Sequence, residues 1–420
     1  MTNFKASAAI GLIVGIFAVL VHATGLFLPL DAVMQLLLGI QPFVSAGQTP
    51  LVLAMVMAFA VAWMAVDIAG TWEKIGIAIA TSVLLFTSSL VLSLYGRFFS
   101  PFVGIFAVFG SLALALGWGK TVAGARKQIL ERLFGQRLSR SAFHRIVESG
   151  VPAAFPGRVV RASVLVVSVQ NHAELMELLS PEDYTSITNL FLKTASDYLV
   201  DSGGYLDECN GECIRVVFGA PLADERHAVH ACRAALDLAV RLNELNKECD
   251  ARWQRRLDVR MGLDSGDIIA AAFGGGRLGS FSVAGPAVDF ARRLCASCST
   301  YGTRILIGPD TYNPASETIE VRPIEIFKAA SQRRRIEIYE ILTPKNGLSS
   351  ERERSRDHFW TGVLHYRERQ WDKAVEEFTK ARIPGIPDEA LDFYLRRIEQ
   401  ARRKEGESHR DSAPLIFQIV

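Results

Sequence analysis

The chain has 420 residues, half of them hydrophobic, with 46 basic and 44 acidic side chains and a formal net charge of +2. At about 150 residues per domain, that length accommodates two to three folded units. The near balance of charge excludes a bulk nucleic-acid binder, which carries a strong basic excess. The charges are unevenly placed. Only Lys5, Asp31, Asp67, Glu73, Lys74 and Arg97 fall in residues 1–119, so the first part of the chain suits lipid and the rest suits water.

A membrane-spanning helix needs about 20 mainly apolar residues. Residues 6–30, 50–70, 75–95 and 98–119 meet that requirement, with a tight turn expected around Gly96–Phe99. The first stretch is too long for a cleavable leader, and three more follow it. Basic residues mark the cytoplasmic flank, and Lys120, Arg126, Lys127, Arg132, Arg137 and Arg140 follow the last span. Four spans then return the N-terminus to the same side. The expected location is an inner or plasma membrane, crossed several times, with both termini cytoplasmic and the lipid bilayer as a partner. The external loop at 31–49 is too short for a folded sensor. His22, inside the first span, is either a neutral side chain facing neighbouring helices or a functional ionisable group.

From Lys120 to about Gly150 apolar residues recur at helical spacing among basic ones, which reads as a coupling helix within a linker over 120–158. It can lie on anionic headgroups or pair with its copy. The prolines of Val151–Gly157 end it. Residues 159–345 then alternate strand and helix patterns. Val164–Val169 is an apolar run suited to a strand buried on both faces. Ser180 and Pro181 open a helix to 202. Gly203–Gly219 reads as a hairpin turning at Asn210–Gly211, and Asp224–Glu248 as a long helix. Leu257–Leu263 and Asp267–Phe273 read as a strand pair around Ser265–Gly266, followed by a helix over Gly285–Thr300 and short strands. All six cysteines (Cys209, Cys213, Cys232, Cys249, Cys295, Cys298) lie in this part. Cys295 and Cys298 have C-x-x-C spacing without a second pair, so they read as reduced structural thiols. Within 355–404, the small and large residues Gly362, Tyr366, Ala374, Phe378 and Ala381 sit close to a tetratricopeptide-like helix pair, with a further helix over 388–403. One such repeat cannot bury its own face and must dock on the preceding domain or a partner. The tail 405–420 follows.

In order along the chain, Gly203–Pro221, Arg260–Asp267 and Gly285–Arg293 form an ordered set: a GG-x-x-D hairpin ending VFGAP, then R-x-G-x-x-x-G-D, then an A-V-x-x-A-x-R helix. This set resembles class III adenylate/guanylate cyclases. For 159–345 the resemblance implies a cyclase-type α/β sandwich, so the chain reads as multi-domain, with a helical transmembrane bundle over 1–119 before it and the short tetratricopeptide-like segment after it. It further implies a head-to-tail homodimer with purine nucleotide bound at the interface. It also implies Mg²⁺ or Mn²⁺ as cofactor in an active member.

Carried over residue by residue, the two metal carboxylates fall on Ser168 and Glu212. Purine selection falls on Glu208 and Ser282, a pair leaning toward guanine. The transition-state asparagine falls on Asp289 and the transition-state arginine on Arg293. Ser168 is neutral, and Asp289 puts a negative charge where the substrate is most negative; two like charges about 4 Å apart repel by about 4 kcal/mol at an effective dielectric near 20. Gln170–Asn171–His172 also replaces a turn where glycine is usual. The expectation is therefore a membrane-anchored signalling protein with an impaired, dimerising or nucleotide-sensing cyclase domain. The alternatives are an active nucleotide cyclase, alone or in a heterodimer with an intact cyclase, and a scaffold that recruits a partner through its C-terminal helices.

Overall fold

The computed structural model describes residues 2–38, 44–45, 49–68, 71–95, 97–119, 122–149, 155–274, 279–328 and 335–407. Gly96, most of the Val151–Gly157 stretch and the tail from residue 408 lie outside them. The chain forms two compact units, Met1–Arg132 and Leu133–Val420.

The first unit contains α1 (Thr2–Ala23), α2 (Leu28–Leu38), β1 (Val44–Ser45), α3 (Thr49–Asp67), α4 (Thr71–Ser93), β2 (Arg97–Phe98), α5 (Pro101–Gly119) and the start of α6 (Val122–Phe134). Four helices are long and apolar enough to cross a membrane: Phe4–Ala23, Pro50–Asp67, Trp72–Ser93 and Pro101–Trp118. Helices α1, α3 and α5 approach closely because small side chains line their contact. Ala18, Ala54, Ala58, Ala62 and Ala107 are buried there, the arrangement that favours helix association in lipid. The Ser111 hydroxyl donates to the Ala58 carbonyl across the bundle at 3.0 Å. Large apolar side chains such as Leu12, Phe17, Leu84 and Val91 point outward.

Two expectations are corrected here. The first span stops at Ala23 because Gly25 takes a left-handed conformation (φ +66°), and Leu28–Leu38 forms a separate helix inside the stretch read as span and loop. His22 consequently stands exposed in the last turn of α1 and does not pack between helices.

The second unit contains the end of α6, then α7 (Arg140–Glu148), β3 (Arg158–Val169), α8 (His172–Leu178), α9 (Pro181–Asp201), β4 (Tyr205–Cys209), β5 (Cys213–Phe218) and α10 (His227–Trp253). It continues with β6 (Val259–Phe273), β7 (Ser280–Ala284), α11 (Pro286–Tyr301), β8 (Ile305–Ile307), α12 (Pro309–Ala315), β9 (Ile319–Lys328), β10 (Arg335–Pro344), α13 (Ser350–Arg367), α14 (Trp371–Ala381) and α15 (Glu389–Glu407). The single coupling helix expected over 120–150 is two helices. Gly135 turns the chain at φ +50°, and Ser139 caps α7 by accepting from the Ala142 amide. Ser180 caps α9 as its sequence implies, accepting from the Asp183 amide at 3.1 Å.

The sheet runs β4-β5-β3-β6-β8-β10-β9, with β7 also on β6. Its spine is β3 against β6, antiparallel from Arg158↔Ala270 to Val169↔Val259. The reading of residues 257–273 as two strands is therefore wrong. The long β3 templates one continuous strand, and Ser265 and Gly266 stay in register opposite Ser163 and Ala162. Ser163 and Ser265 share a hydrogen bond of 2.6 Å, extended to Thr311 and to His227 Nδ1, so these buried hydroxyls are satisfied inside the core.

Alternation along β3 divides the two faces. Leu165, Val167 and Val169 join the core under α9 and α10, and Ser168 turns to the other face, where α11 lies. Gly262 makes that approach possible, since a Cβ there would overlap the Ala291 carbonyl and the Cys295 amide of α11.

The C-terminal helices dock on this same face of their own unit. Phe359, Phe378, Leu391 and Tyr394 pack with Leu294, Cys298, Tyr301, Ile324 and Ile338, each large side chain contributing about 2 kcal/mol by burial. Three helices are present where a pair and a follower were read. Buried Arg322 fixes the junction, donating to Glu340 at 2.7 Å and to both oxygens of Asp388 at 2.6 and 3.1 Å. Burial alone would raise the Asp388 carboxyl, but Arg322 more than reverses this and holds it below its ordinary 3.8. The Asp388→Asn variant leaves buried Arg322 with Glu340 as its remaining charge partner and is expected to lose about 2 kcal/mol of stability, read by thermal unfolding. Because the folded carboxyl is depressed, this contribution is full above about pH 4 and lost as pH falls through the folded value. Asp388→Asn should lack that portion of the acid-induced loss.

Candidate functional site

The face of the sheet beside α11 collects the predicted residues from three elements. Ser168 stands at the end of β3, opposite Cys213 of β5 and Arg260 of β6. Its hydroxyl makes no hydrogen bond to another described residue, and Cys295 of α11 lies against its backbone. The β4–β5 hairpin carries Glu208 and Glu212. Its turn is longer than the two-residue Asn-Gly loop read from sequence, because Cys209 pairs with Ile214. Asn210 explains the difference: its side-chain oxygen accepts from the amides of both Glu212 and Cys213, at 3.1 and 2.8 Å, an Asx turn in place of a tight hairpin turn. That widening puts Glu212 at the tip, where its carbonyl accepts from the Val169 amide at 2.9 Å. The hairpin tip is thereby pinned to the end of β3.

Both hairpin acids are engaged by other side chains of this chain. Glu212 Oε2 lies 2.7 Å from His172 Nε2. Glu208 Oε2 lies 2.7 Å from Arg215 Nη1, and Asn210 Nδ2 donates to its other oxygen at 3.3 Å. Arg215 also donates through Nε to Asp207 at 2.6 Å. The Asp207 side chain is fully buried, and its Oδ1 has no partner among the described residues. A bulge between Leu206 and Glu208 brings two adjacent acids onto one guanidinium.

The linker reaches this strand too. The Arg137 carbonyl accepts from the Leu206 amide at 2.9 Å, and Arg137 Nη1 donates to the Asp207 carbonyl at 3.0 Å. Phe134 fills a box with Phe155, Tyr205 and Phe281, ring centroids 5.1 to 5.9 Å away. The Tyr205 hydroxyl donates to the Phe281 carbonyl and ties the strand of Glu208 to the strand of Ser282, which pairs with Ala271 in the middle of β7.

Asp289 and Arg293 project from α11 and are exposed. Among the described residues no ion pair joins them, so the intrahelical pair that their i,i+4 spacing permits is not formed. No hydrogen bond or ion pair among the described residues joins either to Ser168, Glu208 or Glu212. Neighbouring Arg292 is close enough to Cys213 for its charge to be felt there. Burial, reinforced by Glu208, nevertheless pushes the Cys213 thiol up to about 11. Burial raises Cys298 to about 12 and Cys295 well above its ordinary range. These two thiols donate to the carbonyls of Met261 and Arg260 at 3.2 and 3.3 Å. All six cysteines are free, and these are structural thiols, not nucleophiles.

Residues 157–342 match the family model described as the adenylate and guanylate cyclase catalytic domain. This segment is a domain of the class III adenylate/guanylate cyclase family. Adenylate cyclase 1 of Rhizobium meliloti is 24% identical over 227 residues, covering 53% of this chain and 34% of that protein. An uncharacterised protein of Mycobacterium tuberculosis is 26% identical over 209 residues, covering 49% and 37%. The chain thus spans about a third of the length of these curated relatives. Among solved structures, the guanylyl cyclase Cya2 aligns at TM-score 0.42 and 20% identity, over 46% of this chain and 97% of that one. The adenylyl cyclase CyaB from P. aeruginosa aligns at 0.42 and 23%, over 46% and 100%.

Class III cyclases are generally dependent on divalent metal. The side chains of this cyclase-family domain do not fit a pair of such ions. Ser168, which the resemblance aligns with one metal carboxylate, offers only a hydroxyl; Glu212, aligned with the other, is paired to an imidazole; and no cluster of three or more His, Cys, Asp or Glu side chains suited to a metal exists among the described residues. A separate cavity of about 400 Å³, lined by Arg161, Arg226, His227 and Glu317 among others, contains none of the six predicted residues. The sequence reading missed Arg215, Asp207 and Arg137. The Glu208↔Arg215 pairing follows from the hairpin register, which the Asx turn disguised.

Removing Arg215 strands a buried carboxylate. The Arg215→Ala variant is expected to lose about 3 kcal/mol or more by chemical unfolding, and the Asp207→Asn, Arg215→Met double variant to recover most of that loss.

Proposed function

We propose that this chain is a membrane-anchored signal-transduction protein whose cyclase-family domain has lost efficient turnover and works as a dimerising or nucleotide-sensing module. The observation that carries the reading is the pairing of Ser168 with an already occupied Glu212. Cyclisation of a nucleoside triphosphate requires hard cations held by carboxylates to neutralise the polyphosphate and activate the 3′-hydroxyl. Here one acid is absent and the other is spent on His172. Asp289 adds an exposed negative charge on α11, at the position from which the family stabilises the transition state. In a symmetric homodimer every cleft repeats these features. The four apolar helices support anchoring in a membrane, and the basic flank after Trp118 supports a cytoplasmic domain.

The linker contacts support a route for signals. Phe134 and Arg137 hold β4, the strand of the purine-reading position, so a shift of α6 is felt where a nucleotide base would lie. The C-terminal helices turn their apolar face onto their own unit, which favours a stabilising role over recruitment of a partner.

A second reading rests on Arg293, exposed and without an ion-pair partner among the described residues. In a head-to-tail heterodimer, an intact cyclase would supply both metal carboxylates to one composite cleft while this chain supplied Arg293.

Purified full-length protein incubated with GTP or ATP and Mn²⁺ is expected to form no cyclic nucleotide above background. Substantial turnover abolished by Glu212→Ala would overturn the principal reading. Saturable binding of a fluorescent GTP analogue without turnover supports the sensing role, and dimerisation without binding supports the purely structural one. Activity that appears only on mixing with an intact cyclase, and disappears in Arg293→Ala, supports the second reading.

A further inference from the structure

We infer that the His172 side chain occupies this cleft in place of a metal ion, holding Glu212, the acid that the family resemblance assigns to metal. The inference deepens the impaired-domain reading and rests on it. His172 is the first residue of α8, directly after the turn that ends β3. Its Nε2 lies 2.7 Å from Glu212 Oε2, and its Nδ1 lies 3.2 Å from the Val169 carbonyl. Both partners are acceptors, one an anion and one a carbonyl, and the two ring nitrogens reach one each. The imidazole thereby links the end of β3 to the β4–β5 turn, the two segments carrying the residues that the resemblance assigns to metal.

The turn around His172 is built to hold it there. The Gln170 amide donates to the Asp258 carbonyl at 2.8 Å. Asn171 donates to the Arg256 carbonyl at 2.9 Å and accepts from the Asp258 amide at 2.9 Å. The Val169 amide is committed to the Glu212 carbonyl. In a cradle for phosphate these amides would face the ligand; here they are spent on protein carbonyls, and the stitched turn presents an imidazole instead. Ser168 completes the exchange. With no carboxylate at that position, a metal ion would find one acid, and that acid has a partner.

The imidazole and the carboxylate are respectively 36% and 50% exposed, so the pair is a modest, displaceable barrier. The barrier is therefore measurable by mutation. The experiment uses full-length protein in detergent micelles with Mn²⁺ alone, followed by electron paramagnetic resonance of the free ion. Wild type and Glu212→Gln should take up Mn²⁺ equally, showing no site that depends on Glu212. The Ser168→Asp, His172→Ala double variant should gain one Glu212-dependent site per chain. Ser168→Asp alone should show the same site about fivefold weaker or more, because His172 still holds Glu212.

Glu212-dependent uptake by wild type overturns the inference. Equal affinity of Ser168→Asp with and without His172 does so as well, as does the absence of a site in both. A cooperative thermal transition verifies folding; if the double variant lacks one, His172→Gln replaces His172→Ala and the same comparisons decide. No nucleotide is present, so this failure is separate from that of the functional reading, which fails on product formation.

Discussion

The second unit is organised by the pairing of β3 with β6 along the whole length of β3. A twelve-residue strand with strict alternation delivers two different surfaces from one backbone. Odd positions fill the core beneath α9 and α10. Even positions face α11, and the last of them is Ser168. The same pairing places Gly262 under α11 and brings Arg260 level with Ser168. A slip of one residue would exchange the faces, drive Ser168 into the apolar core and expose the leucines and valines that hold α9 and α10. The position of the cleft is thus a consequence of core register, independent of whether chemistry occurs in it.

Electrostatics decide what that cleft can do. Two carboxylates set for metal repel one another when empty, and a protein carrying them accepts that cost because the ions relieve it. In this chain the repulsion has been removed at both ends of the hairpin. Serine deletes one acid, His172 pairs the second, and Arg215 gathers Asp207 and Glu208. The cleft is electrostatically complete without any ligand. Neutralising one buried group at a time makes matters worse, since Asp207 depends on Arg215 for its compensation.

Much of the architecture was legible because it rests on local patterns. The four apolar stretches, the Ser180–Pro181 helix start and the ordered glycine and arginine motifs all encode short-range constraints that survive without tertiary knowledge. What was illegible depends on partners distant in sequence. Ser265–Gly266 looks like a turn until twelve residues of β3 are seen to hold it extended. Asn210–Gly211 looks like a tight hairpin until the Asn210 side chain is seen to capture two amides. Glu212 could be assigned to a position from its motif, yet its pairing with His172 joins residues 40 apart and follows from the turn geometry after β3. Ser168, Asp289 and Arg293 lie on elements the pattern marked, whereas Ser282 lies on β7, which no pattern marked; the charge partners required the fold.

The C-terminal helices matter to the same cleft through α11. That helix carries Asp289 and Arg293 on its exposed side and Leu294, Cys298 and Tyr301 on its buried side. In isolation it would rest on the sheet alone, with Gly262 allowing close approach but no side chains gripping its outer flank. Phe359, Tyr394 and Leu391 supply that grip, and Arg322 ties their helix to β9 and β10 with a buried bidentate pair. The two exposed residues therefore stand on a helix packed from two directions, whose orientation is set by tens of apolar contacts and not by any salt bridge of their own. A helix held this firmly keeps Arg293 presented at a fixed angle even though no described residue forms an ion pair with it. Rigid display of an exposed arginine beside this cleft is the arrangement in which a charge can be offered outward, to a nucleotide or to a second domain, at little cost in reorganisation.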